Sequence, residues 1–206
     1  MRRIILLALA SSFVLALGGP ADAAKPTRTV HDSVSANAFW YFEEQPARNT
    51  IVRTTWYVGV YSSTDGTWSD LYVDTSTCTI GRRGETCTYE SRFGFSDLSG
   101  GSFSIDADGL TSAHLEETYL LQSWDEKGEA TDAVPTTIVA DWTGVGQIEE
   151  NSGRSSYCDN FWCSRSTWDE ASRSAEAVGV VDGDDLGETY DAYLSRYHSV
   201  TTESPR

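Results

Sequence analysis

A chain of 206 residues with 31 acidic and 15 basic side chains carries a formal charge of −16 at pH 7. That imbalance argues against nucleic acid or bare anionic lipid as partner, because phosphate recognition needs clustered Lys and Arg. Lysine occurs only at Lys25 and Lys127, against thirteen arginines, which is a mark of GC-rich bacterial coding and not of function.

The first segment is Arg2-Arg3, then an apolar run from Ile4 to Leu17, then Gly18-Gly19-Pro20 and Ala21-Asp22-Ala23. This is the layout of a secretory signal peptide over residues 1–23, with an apolar stretch too short to span a bilayer. Loss of Arg2, Arg3 and Asp22 takes the charge from −16 to −17. Residues 24–206 are expected to form one secreted domain, released without a membrane anchor.

Apolar residues then recur with period two. Val34, Ala36, Ala38, Trp40 and Phe42 alternate with polar or aromatic neighbours. Trp56, Val58 and Val60 follow. Asp65-Gly66 reads as a two-residue hairpin turn that would pair Val60 with Leu71, Val58 with Val73 and Trp56 with Thr75. Cys87, Tyr89, Phe93 and Phe95 form a further face, as do Phe103, Ile105 and Ala107, and then Ala113, Leu115, Tyr119 and Leu121. Ile138, Ala140, Trp142 and Ile148 alternate with Gly144 and Gly146 on the same side; Ala175, Ala177 and Val181 follow, then Tyr190, Ala192 and Leu194. Leu186, Tyr190, Leu194 and Tyr197 also fit helical spacing, but Thr189 and the tyrosines favour a strand. Nine or ten short strands separated by Gly, Asp and Ser turns predict an all-β fold, an antiparallel β-sandwich or barrel-like sheet.

Four cysteines in an exported chain read as two disulfides. A turn at Arg82-Arg83 places Gly81 opposite Gly84 and Cys78 opposite Cys87, on a non-hydrogen-bonded pair whose Cα atoms lie ~4.5 Å apart, within disulfide range. The second expected bridge, Cys158–Cys163, encloses Asp159-Asn160-Phe161-Trp162. Trp162 either folds back onto the core or, with Phe161, forms a pinned contact loop. Zinc is a poor alternative because the histidines His31, His114 and His198 are scattered.

Tyr57-Val-Gly-Val60 resembles Trp142-Thr-Gly-Val145, and Leu115-Glu-Glu-Thr-Tyr119 resembles Leu186-Gly-Glu-Thr-Tyr190. The two halves, 33–124 and 134–198, would be tandem half-units joined through Gly128 to Pro135, burying their faces against each other as one sandwich; chance matching among Thr-, Gly- and Tyr-rich strands is the competing explanation. The segments Asp141 to Gly146 and Ser172 to Ala177 resemble strand motifs in uncharacterised secreted β-rich proteins of high-GC Gram-positive bacteria. The resemblance implies a fold and a compartment and carries no activity.

No Gly-x-Ser-x-Gly elbow, His-Glu-x-x-His, phosphate loop or dinucleotide fingerprint occurs. Glu116-Glu117 and Glu149-Glu150 are adjacent on strands, so each pair points to opposite faces and cannot flank one glycosidic bond. Asp106-Ala-Asp108-Gly109 and Asp182-Gly-Asp184-Asp185 invite Ca²⁺, yet neither loop alone supplies six oxygens, and Asp and Gly make β-turns in any case. No catalytic, cofactor-binding or metal residue is nominated. The expectation is a secreted, non-catalytic binding or surface-interaction module whose aromatic side chains suit a carbohydrate or protein surface. The alternatives are a glycan hydrolase with a cross-strand carboxylate pair and a protease inhibitor baited by Gly81-Arg82-Arg83-Gly84.

Overall fold

Alternation of small apolar residues with polar or aromatic ones turns residues Thr27–Ala47 into one long strand, β1. The computed structural model describes residues 25–98, 102–123, 130 and 132–205. The expected signal peptide lies outside these, as do Gly128, Glu129 and Thr131 of the expected connection. After β1 come β2 (Thr50–Ser63), β3 (Gly66–Gly81), β4 (Gly84–Asp97), β5 (Phe103–Ile105) and β6 (Ser112–Leu121). The remaining strands are β7 (Val134–Gly144), β8 (Glu149–Cys158), β9 (Trp162–Val181), β10 (Asp184–Glu188) and β11 (Asp191–Pro205). The segment with an ambiguous period is strand, as its tyrosines favour. Among the described residues there is no helix, and so none long and apolar enough to cross a membrane.

All pairings are antiparallel, in the order β4-β3-β2-β1-β11-β9-β7-β6-β5. Strand β9 turns this path into two layers. Its first part, Trp162 to Ser174, pairs with β11 on one side and β8 on the other; its second part, Ala175 to Val181, pairs with β7 and β10. The larger layer is therefore β4-β3-β2-β1-β11-β9-β8, and the smaller is β10-β9-β7-β6-β5. Both 33–124 and 134–198 contribute strands to both layers. The path does not close into a barrel: among the described residues, the backbone pairing between β4 and the end of β6 is the isolated Phe93–Gln122 bridge.

The core lies between the layers. Ala36, Ala38 and Trp40 of β1, Val58 and Val60 of β2 and Leu71 of β3 face Leu115 and Tyr119 of β6 and Ile138, Ala140 and Trp142 of β7. These are the inward positions that the period-two pattern selects. Among the described residues, polar links cross the core where Trp142 Nε1 donates to the Asn37 carbonyl at 3.0 Å and the Tyr119 hydroxyl donates to Ser69 Oγ at 2.6 Å. Burial pushes the Tyr119 phenol well above its ordinary range. Gly179 admits the Trp40 ring, since a Cβ there would lie 2.7 Å from Cζ2.

Three expectations need correction. The β2–β3 turn is Thr64-Asp65, not Asp65-Gly66, so Val60 pairs with Ser69, Val58 with Leu71 and Trp56 with Val73. A slip of two residues leaves every side chain on its own face and lets Tyr61 stack on Trp68, ring centroids 4.3 Å apart, beside a 2.7 Å hydroxyl pair between Ser62 and Thr67. In β4, Tyr89, Phe93 and Phe95 point outward; the inward position is Gly94, against which Tyr119 and Leu121 of β6 pack. Tyr190 is exposed, not core.

Candidate functional site

Residues directly opposite each other in a sheet share a face, so the register alone shows what the outer face of the larger layer carries. Phe39, Tyr57, Tyr72 and Phe93 are opposite one another across β1, β2, β3 and β4. Their rings form a ladder with centroid separations of 4.6, 5.8 and 4.5 Å. Two residues further along, the row reads Tyr193, Asn37, Gly59, Asp70 and Phe95. Beyond it comes the Tyr61–Trp68 stack, and Tyr197 lies next to His31. An aromatic pair at this spacing contributes about 0.5–1.5 kcal/mol beyond area burial, but a solvent-facing run of this extent is uncommon on a monomer and marks contact surfaces.

The middle of this face holds a polar knot. The Tyr57 hydroxyl leans over Gly59 and donates to Asn37 Oδ1 at 2.8 Å, and Asn37 itself is buried. A Cβ on Gly59 would overlap the Tyr57 hydroxyl and lie 2.6 Å from Asp70 Oδ1, so only glycine allows both groups to fold over this point. Burial, then the nearby Asp70 charge, pushes the Tyr57 phenol well above its ordinary range. Burial also pushes the Asp70 carboxyl up.

At the far end of the same face is the loop expected as a contact. Cys158 is opposite Cys163, and the two are bridged. Asp159 Oδ1 accepts the backbone N–H groups of Phe161 and Trp162, each at 2.7 Å, which also lowers the Asp159 carboxyl. Phe161 is 75% and Trp162 47% exposed, so the alternative of a core Trp162 is excluded. Tyr157, Trp162, Ser164 and Glu203 line a 360 Å³ hollow beside the bridge. Trp162 shares its face with Trp168, Tyr197 and Tyr193 through the β9–β11 register.

The other bridge, Cys78–Cys87, forms where the hairpin parity places it. It lies on this same outer face, beside Arg53, which is held between Glu43 and Glu85 at 2.9 Å each. With its sulfurs joined, the cluster Cys78, Glu85 and Cys87 offers no thiolates to a metal. Arg82 and Arg83 are exposed at the hairpin tip.

Among the described residues, the remaining candidates lie apart from one another. Glu116 and Glu117, like Glu149 and Glu150, alternate between faces, and Glu150 lies 3.5 Å from Arg196. His198 Nδ1 bonds Asp32 at 2.5 Å at the rim of a 410 Å³ cleft, and that bond holds the imidazole above its ordinary range. His114 bonds Asp141 at 2.7 Å on the smaller layer. Among the described residues neither imidazole is bonded to a serine hydroxyl, and Ser62 of the cleft is paired with Thr67.

Several oxygens of the acidic turns already accept hydrogen bonds from protein donors. Asp106 accepts the Thr111 hydroxyl and the Gly109 N–H, while the Ala107, Asp108 and Gly109 carbonyls accept from Arg196 and Arg173. Two guanidinium groups against those carbonyls oppose a cation there. Asp182 accepts the Thr137 N–H and Asp185 the Gly187 N–H.

Sequence reasoning missed the ladder. Its signal was present in the aromatic residues that alternate with the core positions of β1, β2 and β3. Comparison with protein-family models, curated proteins and solved structures found no match to this chain.

Proposed function

We propose that this protein is a secreted, non-catalytic module that binds a glycan on the outer face of its larger layer. The carrying observation is the Phe39–Tyr57–Tyr72–Phe93 ladder, extended by Phe95, Trp68 and Tyr193. The C–H face of a sugar ring stacks on an aromatic ring, and neighbouring polar groups take its hydroxyls. Rings seated on a sheet lose little entropy on contact, which favours binding through them. Two disulfides suit an oxidising compartment, and the charge of −16 keeps such an aromatic protein dispersed.

Affinity electrophoresis of the mature chain through gels containing dissolved polysaccharides tests this. At least one polysaccharide is expected to retard it, with no release of reducing ends. Tyr72→Ala removes a ring that pairs with both Tyr57 and Phe93, so it is expected to cost about 1–3 kcal/mol of stability and still fold, while retardation is expected to fall by at least about tenfold in affinity. Full retention by Tyr72→Ala, or no retardation of the wild type by any polysaccharide, would refute the reading.

Trp162 extends the same face towards the clamped tip. Trp162→Ala is expected to leave the thermal midpoint within about 2 °C of wild type, because an exposed ring contributes little to folding. It is expected to weaken binding to long chains and to leave binding to short oligosaccharides unchanged. Unchanged affinity for long chains in titration calorimetry would place Trp162 outside the contact, and equal loss for both lengths would make it part of the central contact instead of an extension.

A further inference from the structure

Asp70 is the most anomalous group on the aromatic face. It is half-buried, opposite Gly59 and Phe95, and separated by one residue from both Trp68 and Tyr72 on its own strand. Apart from its own backbone N–H, no donor is bonded to its carboxylate among the described residues. The nearby Tyr57 hydroxyl is spent on Asn37. Arg53, six residues along β2 on the same face, is committed to Glu43 and Glu85. A carboxylate left uncompensated among rings works against folding, because desolvation penalises its charged form. A group held at such a cost, with acceptor sites left beyond its own backbone N–H and stacking surfaces on either side, is placed to accept hydrogen bonds from something that arrives.

We infer that Asp70 is the specificity-determining group of this face, accepting a pair of hydroxyls from an uncharged glycan and rejecting acidic ones. The inference rests on the binding-face reading and adds the ligand class. The rings take the apolar faces of the sugar, and Asp70 supplies the directional contact that rings cannot. Hydrogen bonds to a charged acceptor are stronger than neutral ones, so Asp70 sets which hydroxyl pattern fits. A uronate would bring a second carboxylate beside one that has no counter-ion, on a chain already at −16.

The test uses the mature chain, Asp70→Asn and Tyr72→Ala, in gels containing a neutral mixed-linkage glucan, a galactomannan, polygalacturonate or chitosan. The wild type is expected to be retarded by a neutral polysaccharide and not by polygalacturonate. Asp70→Asn keeps the shape and loses the charge, and is expected to lose at least about tenfold in affinity. Its stability should move the other way. The raised carboxyl favours the protonated form in the fold, so stability is fully present below the unfolded value of about 3.9 and is lost as pH rises through the folded value. The Tyr57 phenol beside it, pushed up by burial, stays neutral over this range. At pH 7 Asp70→Asn should therefore melt at or above wild type, with the difference closing below about pH 4.

Wild-type affinity in Asp70→Asn, with Tyr72→Ala still losing binding, would overturn the role of Asp70 and leave the binding face standing. Equal retention on polygalacturonate, or preference for chitosan, would overturn the uncharged ligand. A lower midpoint for Asp70→Asn at pH 7 would make Asp70 structural. No retention of the wild type on any gel would remove the binding-face reading itself.

Discussion

Trp142→Ala is expected to cost about 3–5 kcal/mol of stability, the range for truncating a fully buried Trp. The ring is 1% exposed in the middle of the core, on β7, while its Nε1 reaches across to the Asn37 carbonyl of β1. Truncation therefore opens a cavity and also strips a hydrogen bond that joins the two layers. The Asn37 carbonyl would be left without that donor, and Asn37 already anchors Tyr57 of the ladder through its side chain. For a domain of this size each kcal/mol shifts the midpoint by roughly 2–4 °C, so a fall of roughly 10 °C or more is expected by circular dichroism. Trp142→Phe separates the two contributions. It keeps an aromatic ring, loses the N–H at about 1 kcal/mol for the bond, and leaves a smaller cavity than alanine, so its cost is expected to fall between wild type and Trp142→Ala. A fall of less than about 3 °C for Trp142→Ala would mean that the layers do not meet at this residue. The exposed Trp162 supplies the contrast, since the same substitution there is expected to leave folding nearly unchanged.

What the chain states openly is set by period and parity. Ala36, Ala38 and Trp40 are inward because they alternate, and Cys78 meets Cys87 because counting out from Arg82-Arg83 leaves no other partner. The same logic fails where a displacement is even. Moving the β2–β3 register by two residues keeps Val58, Val60 and Leu71 inward, so alternation cannot choose between Asp65-Gly66 and Thr64-Asp65 as the turn; the Tyr61–Trp68 stack and the Ser62–Thr67 pair do. Alternation also cannot say which of two apolar faces is buried. In β4 the larger side chains, Phe93 and Phe95, face solvent, and the inward place goes to Gly94 because β6 approaches too closely for a Cβ. The ladder stayed hidden for that reason. It consists of the positions between the core residues, and their proximity depends on the order of four strands, which no local pattern encodes. The passage of β9 from one layer to the other is equally nonlocal.

Gly144→Ala is expected to be nearly as damaging as the loss of Trp142, and for the opposite reason: the site has no room. Gly144 ends β7 under the turn from Asp106 to Thr111, donating its N–H to the Thr111 carbonyl at 2.8 Å. A Cβ would overlap the Leu110 carbonyl oxygen and press on Arg173 Cδ at 3.0 Å. Neither neighbour can yield cheaply. Leu110 is fully buried with φ at 46°, and Arg173 is tied to the Gly109 carbonyl at 3.0 Å. Overpacking against backbone typically costs 1–3 kcal/mol, and about 3 kcal/mol is expected where a main-chain oxygen has to move. Gly146→Ala is the control on the same connection. Gly146 has φ at 72° with open space around it, so the substitution meets only the left-handed backbone cost of about 1 kcal/mol. Denaturant midpoints of the two variants should therefore differ about threefold in their displacement from wild type. Equal displacements would show that the acidic turn does not rest on β7.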